Sequence, residues 1–201
     1  MKKTILTLMV LAVSTFSLFA QTEATTKDGK KVILNDDGTW KYDTTVVVEK
    51  TVNLECSELI STETDKMTGK SSTAAKKTLI ISDDGGKNGF GIFLMNSSSG
   101  SIIFSIQAVG AGSCIDDDNK MNILFRDGTR LELVNNGKFN CKAKFTLYFG
   151  GSFGKKKQLE MLRTKEIETM RIWTSKSYVE KDFTSEQSKQ LMKTVDCLLN
   201  N

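Results

Sequence analysis

The chain has 201 residues, with 28 Lys and Arg against 24 Asp and Glu, four Cys, no Pro and no His. The lack of His removes Ser-His-Asp and Cys-His nucleophilic sites, His-based zinc centres and the usual general base near neutral pH. The charge is too balanced and too scattered to form the concentrated cationic stripe that a phosphate backbone requires, so nucleic acid is not an expected partner.

Residues 1–20 begin with Lys2 and Lys3, continue through an apolar run at 5–12 and end in Ser-Leu-Phe-Ala, the three-part organisation of a secretory signal peptide. The apolar run is interrupted by Ser14 and Thr15 and is too short for a transmembrane span. No Cys follows before Cys56, so a lipid anchor at the cleavage point is not expected. Cleavage after Ala20 leaves 181 residues with 26 basic and 24 acidic side chains, a net +2 without a further transmembrane segment. That length suits one domain with a core plus a small appendage. The expected location is outside the cytoplasm, either periplasmic or secreted.

Residues 26–43 read TKDGKKVILNDDGTWKYD: a strand at 31–34, a turn at 35–38 and a strand at 39–42. Asp28, Gly29, Lys30, Val32, Leu34, Asp37, Gly38, Thr39, Trp40 and Tyr42 give this hairpin a DGKxVxLxxDGTWxY pattern. It resembles the N-terminal hairpin of uncharacterised secreted proteins of Gram-negative bacteria, which implies an envelope location and carries no activity. An isolated two-stranded hairpin is marginal, so Trp40 and Tyr42 are partner-binding candidates, docking on the main domain or on another molecule. The domain division is therefore a signal segment at 1–20, an N-terminal tail and hairpin at 21–43, and a main β-rich domain at 44–201.

Within that domain, 44–51 reads as a strand and 60–75, polar and rich in small residues, as a loop with at most a partial strand. Residues 77–82 form a strand and 83–89 a turn; 90–95 and 102–109 pair across Asn96-Ser-Ser-Ser-Gly100. The centre, 122–149, reads as a three-stranded meander, with strands at 123–125, 131–134 and 139–149 joined by Asp127-Gly128 and Asn136-Gly137 turns. In its third strand Ala143, Phe145, Leu147 and Phe149 alternate with Lys142, Lys144, Thr146 and Tyr148.

A short helix is expected at 155–165, then a strand at 167–174 with Ile167, Thr169, Arg171 and Trp173 on one face and Glu168, Met170 and Ile172 on the other. The last element is a helix over 184–199, with Thr184 as N-cap, Gln187 completing a capping box, and Leu191, Met192, Val195, Leu198 and Leu199 on one face.

Cys56, Cys114, Cys141 and Cys197 are an even set in an exported chain, so two disulfides are expected rather than four thiols. Three connectivities exist. Cys197 lies roughly opposite the apolar helix face, pointing away from the core, which suggests a partner in a segment crossing the helix; Cys56 is the candidate, leaving Cys114 with Cys141.

No cofactor is implied. The cysteines lack CxxC spacing, and neither Gly150-Gly-Ser-Phe-Gly154 nor Gly110-Ala-Gly112 matches a phosphate-loop or dinucleotide fingerprint. Asp116, Asp117 and Asp118 are weak calcium candidates or a plain acidic turn, since EF-hand spacing is absent. Lys142 and Lys144 with Lys155-Lys156-Lys157 offer a patch for acidic glycans or head groups, or simply a solvated face. Asp43-Thr44-Thr45 resembles a short O-glycosylation signal of exported bacterial proteins.

The expected fold is α+β, a mostly antiparallel sheet of about seven to nine strands with the C-terminal helix packed on it. The leading functional expectation is a non-catalytic binding or envelope-associated module. Its alternatives are a His-free carboxylate hydrolase acting on glycans and a structural protein that joins a partner by strand addition.

Overall fold

The computed structural model describes residues 22–25, 31–35, 37–42, 54–97, 100–110 and 114–200. The expected signal segment at 1–20 and strand at 44–51 lie outside the described residues, as does the division between tail and main domain at 43/44. The chain divides into two compact units, Met1–Thr51 and Val52–Asn201.

In the first unit, β1 (Thr22–Thr25), β2 (Lys31–Leu34) and β3 (Trp40–Tyr42) form an antiparallel sheet in that order. The expected hairpin is β2–β3, with Val32 opposite Tyr42 and Leu34 opposite Trp40. Its turn is held by Asp37, whose Oδ1 accepts from the Thr39 amide at 2.9 Å, the local bond that suits Asp to turns. The sequence reading lacked β1, because Thr-Glu-Ala-Thr has no apolar alternation.

The second unit contains α1 (Cys56–Leu59), β4 (Ile60–Thr64), β5 (Ser71–Ala75), β6 (Leu79–Asp83), β7 (Asn88–Asn96), β8 (Ile102–Val109), β9 (Lys120–Phe125), β10 (Arg130–Val134), β11 (Lys144–Phe149), α2 (Lys156–Thr164), β12 (Ile167–Trp173), β13 (Tyr178–Asp182) and α3 (Ser185–Leu199). Every pairing is antiparallel, so the fold is α+β with a C-terminal helix, and its ten described strands exceed the seven to nine expected. A six-stranded sheet runs β11-β8-β7-β5-β4, with β6 beside the first part of β7, and a four-stranded sheet runs β10-β9-β12-β13. Close approach of β6 demands Gly89: at φ +150° a Cβ there would lie 2.1 Å from the Ile81 carbonyl oxygen.

Cross-strand ladders explain why the two sheets share one core. On β8, Phe104 and Ile106 face Leu147 and Phe145 on one side and Leu94 and Ile92 on the other. On β9, Met121 and Ile123 face Leu133 and Leu131, then Ile172 and Met170. All belong to a single buried cluster that also takes in Leu191, Val195 and Leu198 of α3. Burying a side chain of this size stabilises by about 1.5–3 kcal/mol, so these ladders set the register of both sheets.

Two expectations fail here. Residues 60–75 are not a loop: β4 and β5 form a hairpin closed at Asp65, which accepts from the Met67 and Thr68 amides at 2.7 and 2.9 Å. Hydroxyl pairs Thr62–Thr73 and Thr64–Ser71, both 2.8 Å, replace the apolar contacts that a strand reading looks for. The meander is also interrupted. β9 and β10 pair across the Asp127-Gly128 turn, but the third strand begins at Lys144 and pairs with β8 in the other sheet. Between them the chain is turned by Asn135, only 3% exposed, whose Oδ1 accepts from the Gly137 and Thr146 amides at 3.0 and 2.9 Å and whose Nδ2 donates to the Asp116 carbonyl at 2.7 Å. A side chain there takes the bonds that a β10 hairpin partner would have made.

The α3 capping box is formed: the Gln187 amide donates to Thr184 Oγ1 at 3.1 Å and the Thr184 amide to Gln187 Oε1 at 2.9 Å. Its core face runs through Ser188, Leu191, Val195 and Leu198, while Leu199, expected on that face, is 42% exposed in the last turn. Ser188 is fully buried for a reason: its Oγ accepts from the Ile167 amide at 2.7 Å, beside the β-bulge between Ile167 and Thr169. That bulge moves Ile167 to the core with Met170 and Ile172 and corrects the strict alternation expected for 167–174.

Cys56 on α1 is bonded to Cys197 on α3, with Cα atoms 5.5 Å apart, and Cys114 is bonded to Cys141. α1 is the segment that crosses the helix. The second bond ties the strand-like bridge Ile115–Asn140 that precedes β9 and β11.

Candidate functional site: the outer face of the four-stranded sheet

Because side chains alternate across a strand, burying Met121, Ile123, Met170, Ile172 and Val179 turns their neighbours outward. Register then assembles three rows on that outer face. The middle row is Glu132, Asn122, Arg171 and Glu180; beside it run Arg130, Leu124, Thr169 and Asp182; on the other side Trp173 stands opposite Tyr178.

These side chains bind one another. Arg171 Nε donates to Glu180 Oε2 at 2.6 Å, and Glu180 raises the guanidinium's pKa. The same guanidinium lies 4.4 Å from the Tyr178 ring centre and 5.4 Å from that of Trp173, within the range of cation–π attraction. The two rings meet edge to face at 5.2 Å. Trp173 Nε1 donates to Asn122 Oδ1 at 2.8 Å, Asn122 Nδ2 to Glu132 Oε2 at 3.2 Å, and Lys120 Nζ lies 2.8 Å from Glu132 Oε1. The hydrogen bonds from Lys120 and then Asn122 hold the Glu132 carboxyl below its ordinary range. Thr169 Oγ1 donates to Asp182 Oδ1 at 2.7 Å.

Around this network lies an open groove of about 640 Å³, lined by Asn122, Arg130, Glu132, Thr169, Arg171 and Glu180. Trp173 and Tyr178 remain 38% and 44% exposed. The arrangement presents fixed aromatic faces beside side-chain donors and acceptors, which suits holding a ligand. A general acid needs a raised carboxyl pKa, and that of Glu132 is lowered.

The residues singled out in the sequence sit elsewhere. Trp40 is 53% exposed on β3 of the first unit, and Tyr42 follows it on the same strand. Asp116, Asp117 and Asp118 are exposed with carboxylate oxygens within 4.8 Å of one another, close enough to share a cation. Lys142 and Lys144 are exposed, and Lys155 Nζ donates to Asn136 Oδ1 at 2.7 Å. Sequence reasoning missed the Trp173–Tyr178–Arg171–Asn122 group. The signal was the polar and aromatic face Thr169, Arg171, Trp173; what hid it was β13, whose Tyr-Val-Glu-Lys-Asp shows one buried residue in five.

Residues 1–90 match the model of a family described as a protein of unknown function, DUF3157. The matched span covers the first unit and ends inside β7, so the four-stranded sheet lies wholly outside it. Comparison with curated proteins and with solved structures gives no match.

Proposed function

We propose that the protein is an exported, non-catalytic binding module that holds a polyhydroxylated ligand on the outer face of its four-stranded sheet. The observation that carries this reading is the pre-assembled group at the groove: Trp173 and Tyr178 are exposed yet fixed through Arg171, Asn122 and Glu180. Rigid exposed aromatics lose little conformational freedom on binding, and carboxylate and amide side chains accept from hydroxyl groups at the ring edges. Two disulfides fit an oxidising, extracytoplasmic compartment, which agrees with export.

The test is an array of soluble oligosaccharides and envelope polysaccharides probed with mature protein. Trp173→Ala is expected to lose about tenfold or more in affinity, the scale of a binding hot spot, while circular dichroism still reports the wild-type sheet spectrum. Trp40→Ala is the comparison variant and keeps its binding. Equal binding by wild type and Trp173→Ala, or release of a shortened glycan on incubation, overturns the reading.

A further inference from the structure

We propose that the ligand of this groove is an acidic oligosaccharide, a chain bearing carboxylate groups, and that Arg130 is its anion anchor; this rests on the binding-module reading above. Among the described residues, the charges lining the groove leave one cation unpaired. Glu132 is neutralised by Lys120 and Arg171 by Glu180, at 2.8 and 2.6 Å. Arg130 is the one charged side chain lining the groove that has no ion pair or hydrogen bond to a described residue. A guanidinium offers five N–H donors in a planar fork that matches a carboxylate, and here the fork is unspent.

Position points to a chain rather than a single sugar. Arg130 stands level with Thr169, two strands away, and Trp173 lies four residues further along β12. Strand spacing and rise put the two about 16 Å apart, further than one ring reaches. A ligand that stacks on Trp173 and pairs with Arg130 crosses the middle row at Asn122, with Glu132 beside it, whose carboxylate offers acceptors for its hydroxyls. The geometry favours a glycan over an acidic peptide. An extended peptide gains its affinity from backbone pairing at a sheet edge, whereas the groove lies across the face of β9 and β12, whose backbones are already paired on both sides.

The experiment is titration calorimetry of the mature protein with three probes: the tetramer of galacturonic acid, the same tetramer fully methyl-esterified, and a polyglutamate tetrapeptide. Wild type is expected to bind the acid tetramer at least tenfold more tightly than its ester. Arg130→Gln weakens the acid tetramer far more than the ester and so removes most of that difference, and Arg130→Lys restores it in part. Binding of acid and ester with equal affinity, both weakened by Trp173→Ala, overturns the anion anchor and leaves the binding-module reading standing. Tighter binding of the tetrapeptide, lost in Arg130→Gln, overturns the glycan assignment. No heat with any probe overturns this inference, and the array decides the broader reading separately.

Discussion

Asp127 shows how one side chain is asked for two tasks. Its Oδ1 accepts from the Thr129 amide at 2.9 Å, closing the β9–β10 turn in which Gly128 takes φ +81°, and its Oδ2 is paired with Lys165 on the chain leaving α2. Lys165 first, then Thr129, lowers its pKa from 3.8 to about 2. A carboxyl with a depressed folded pKa adds stability at pH values above its unfolded value, and that contribution is lost as the pH falls from about 4 to about 2. Lys165→Met removes the main cause. Urea midpoints of this variant are expected to lie modestly below wild type at pH 7, modestly because the pair is exposed and screened, and the two profiles to converge as the pH falls from about 4 to about 2. Parallel pH profiles would mean that the Asp127 turn is set by Thr129 alone. The Asp-Gly turn was legible in the sequence because its chemistry is local. The role of Asn135 was not: an Asn-Asn-Gly run announces a turn, but nothing local says that the side chain accepts from Thr146, eleven residues on.

At the scale of elements the same distinction recurs. α3 was legible in full detail at its start, since a capping box is written within four residues, and Leu191, Val195 and Leu198 mark its core face. β11 was legible as a strand but not as a neighbour of β8, because alternation fixes which face is buried and leaves the pairing partner open. The groove suffers most from this. Asn122, Arg171 and Glu180 meet only because β12 lies between β9 and β13, and β12 reaches that place with a bulge that no pattern of period two contains. Cys197 is a further case of position deciding meaning. Expected opposite the core face, it is instead 1% exposed and part of the core cluster, because α1 covers that side of α3 and bonds to it across 141 residues of chain. A closed loop of that length stabilises by about 5 kcal/mol in the chain-entropy account, with about 2–4 kcal/mol typical in practice. Cys56→Ser with Cys197→Ser is therefore expected to lower Tm by about 5–15 °C, and more than Cys114→Ser with Cys141→Ser, whose loop spans 27 residues. Calorimetric scans of the two double variants decide the order; a larger loss from the shorter loop would place the weight on the geometry around Ile115 and Asn140 instead.

At the scale of the molecule, the question is which residues carry the cooperative fold. The buried cluster runs from Leu59 to Leu198, both sheets and all three α-helices described in the second unit contribute to it, and none of its described members comes from the first unit. The disulfides also begin at Cys56, so both covalent ties lie within Val52–Asn201. A core of this extent is what a domain of about 150 residues needs to fold alone, whereas a small sheet of three short strands has little to hold it. Residues 52–201, exported and oxidised without the first unit, are thus expected to unfold in one cooperative transition with a Tm within about 3 °C of the mature chain. The groove residues all fall in that fragment, so it is also expected to keep the ligand affinity of the whole. A broadened transition, or a Tm lower by more than about 10 °C, would show that the first unit completes the core, and would give the DGTWKY hairpin a structural task in place of a separate one.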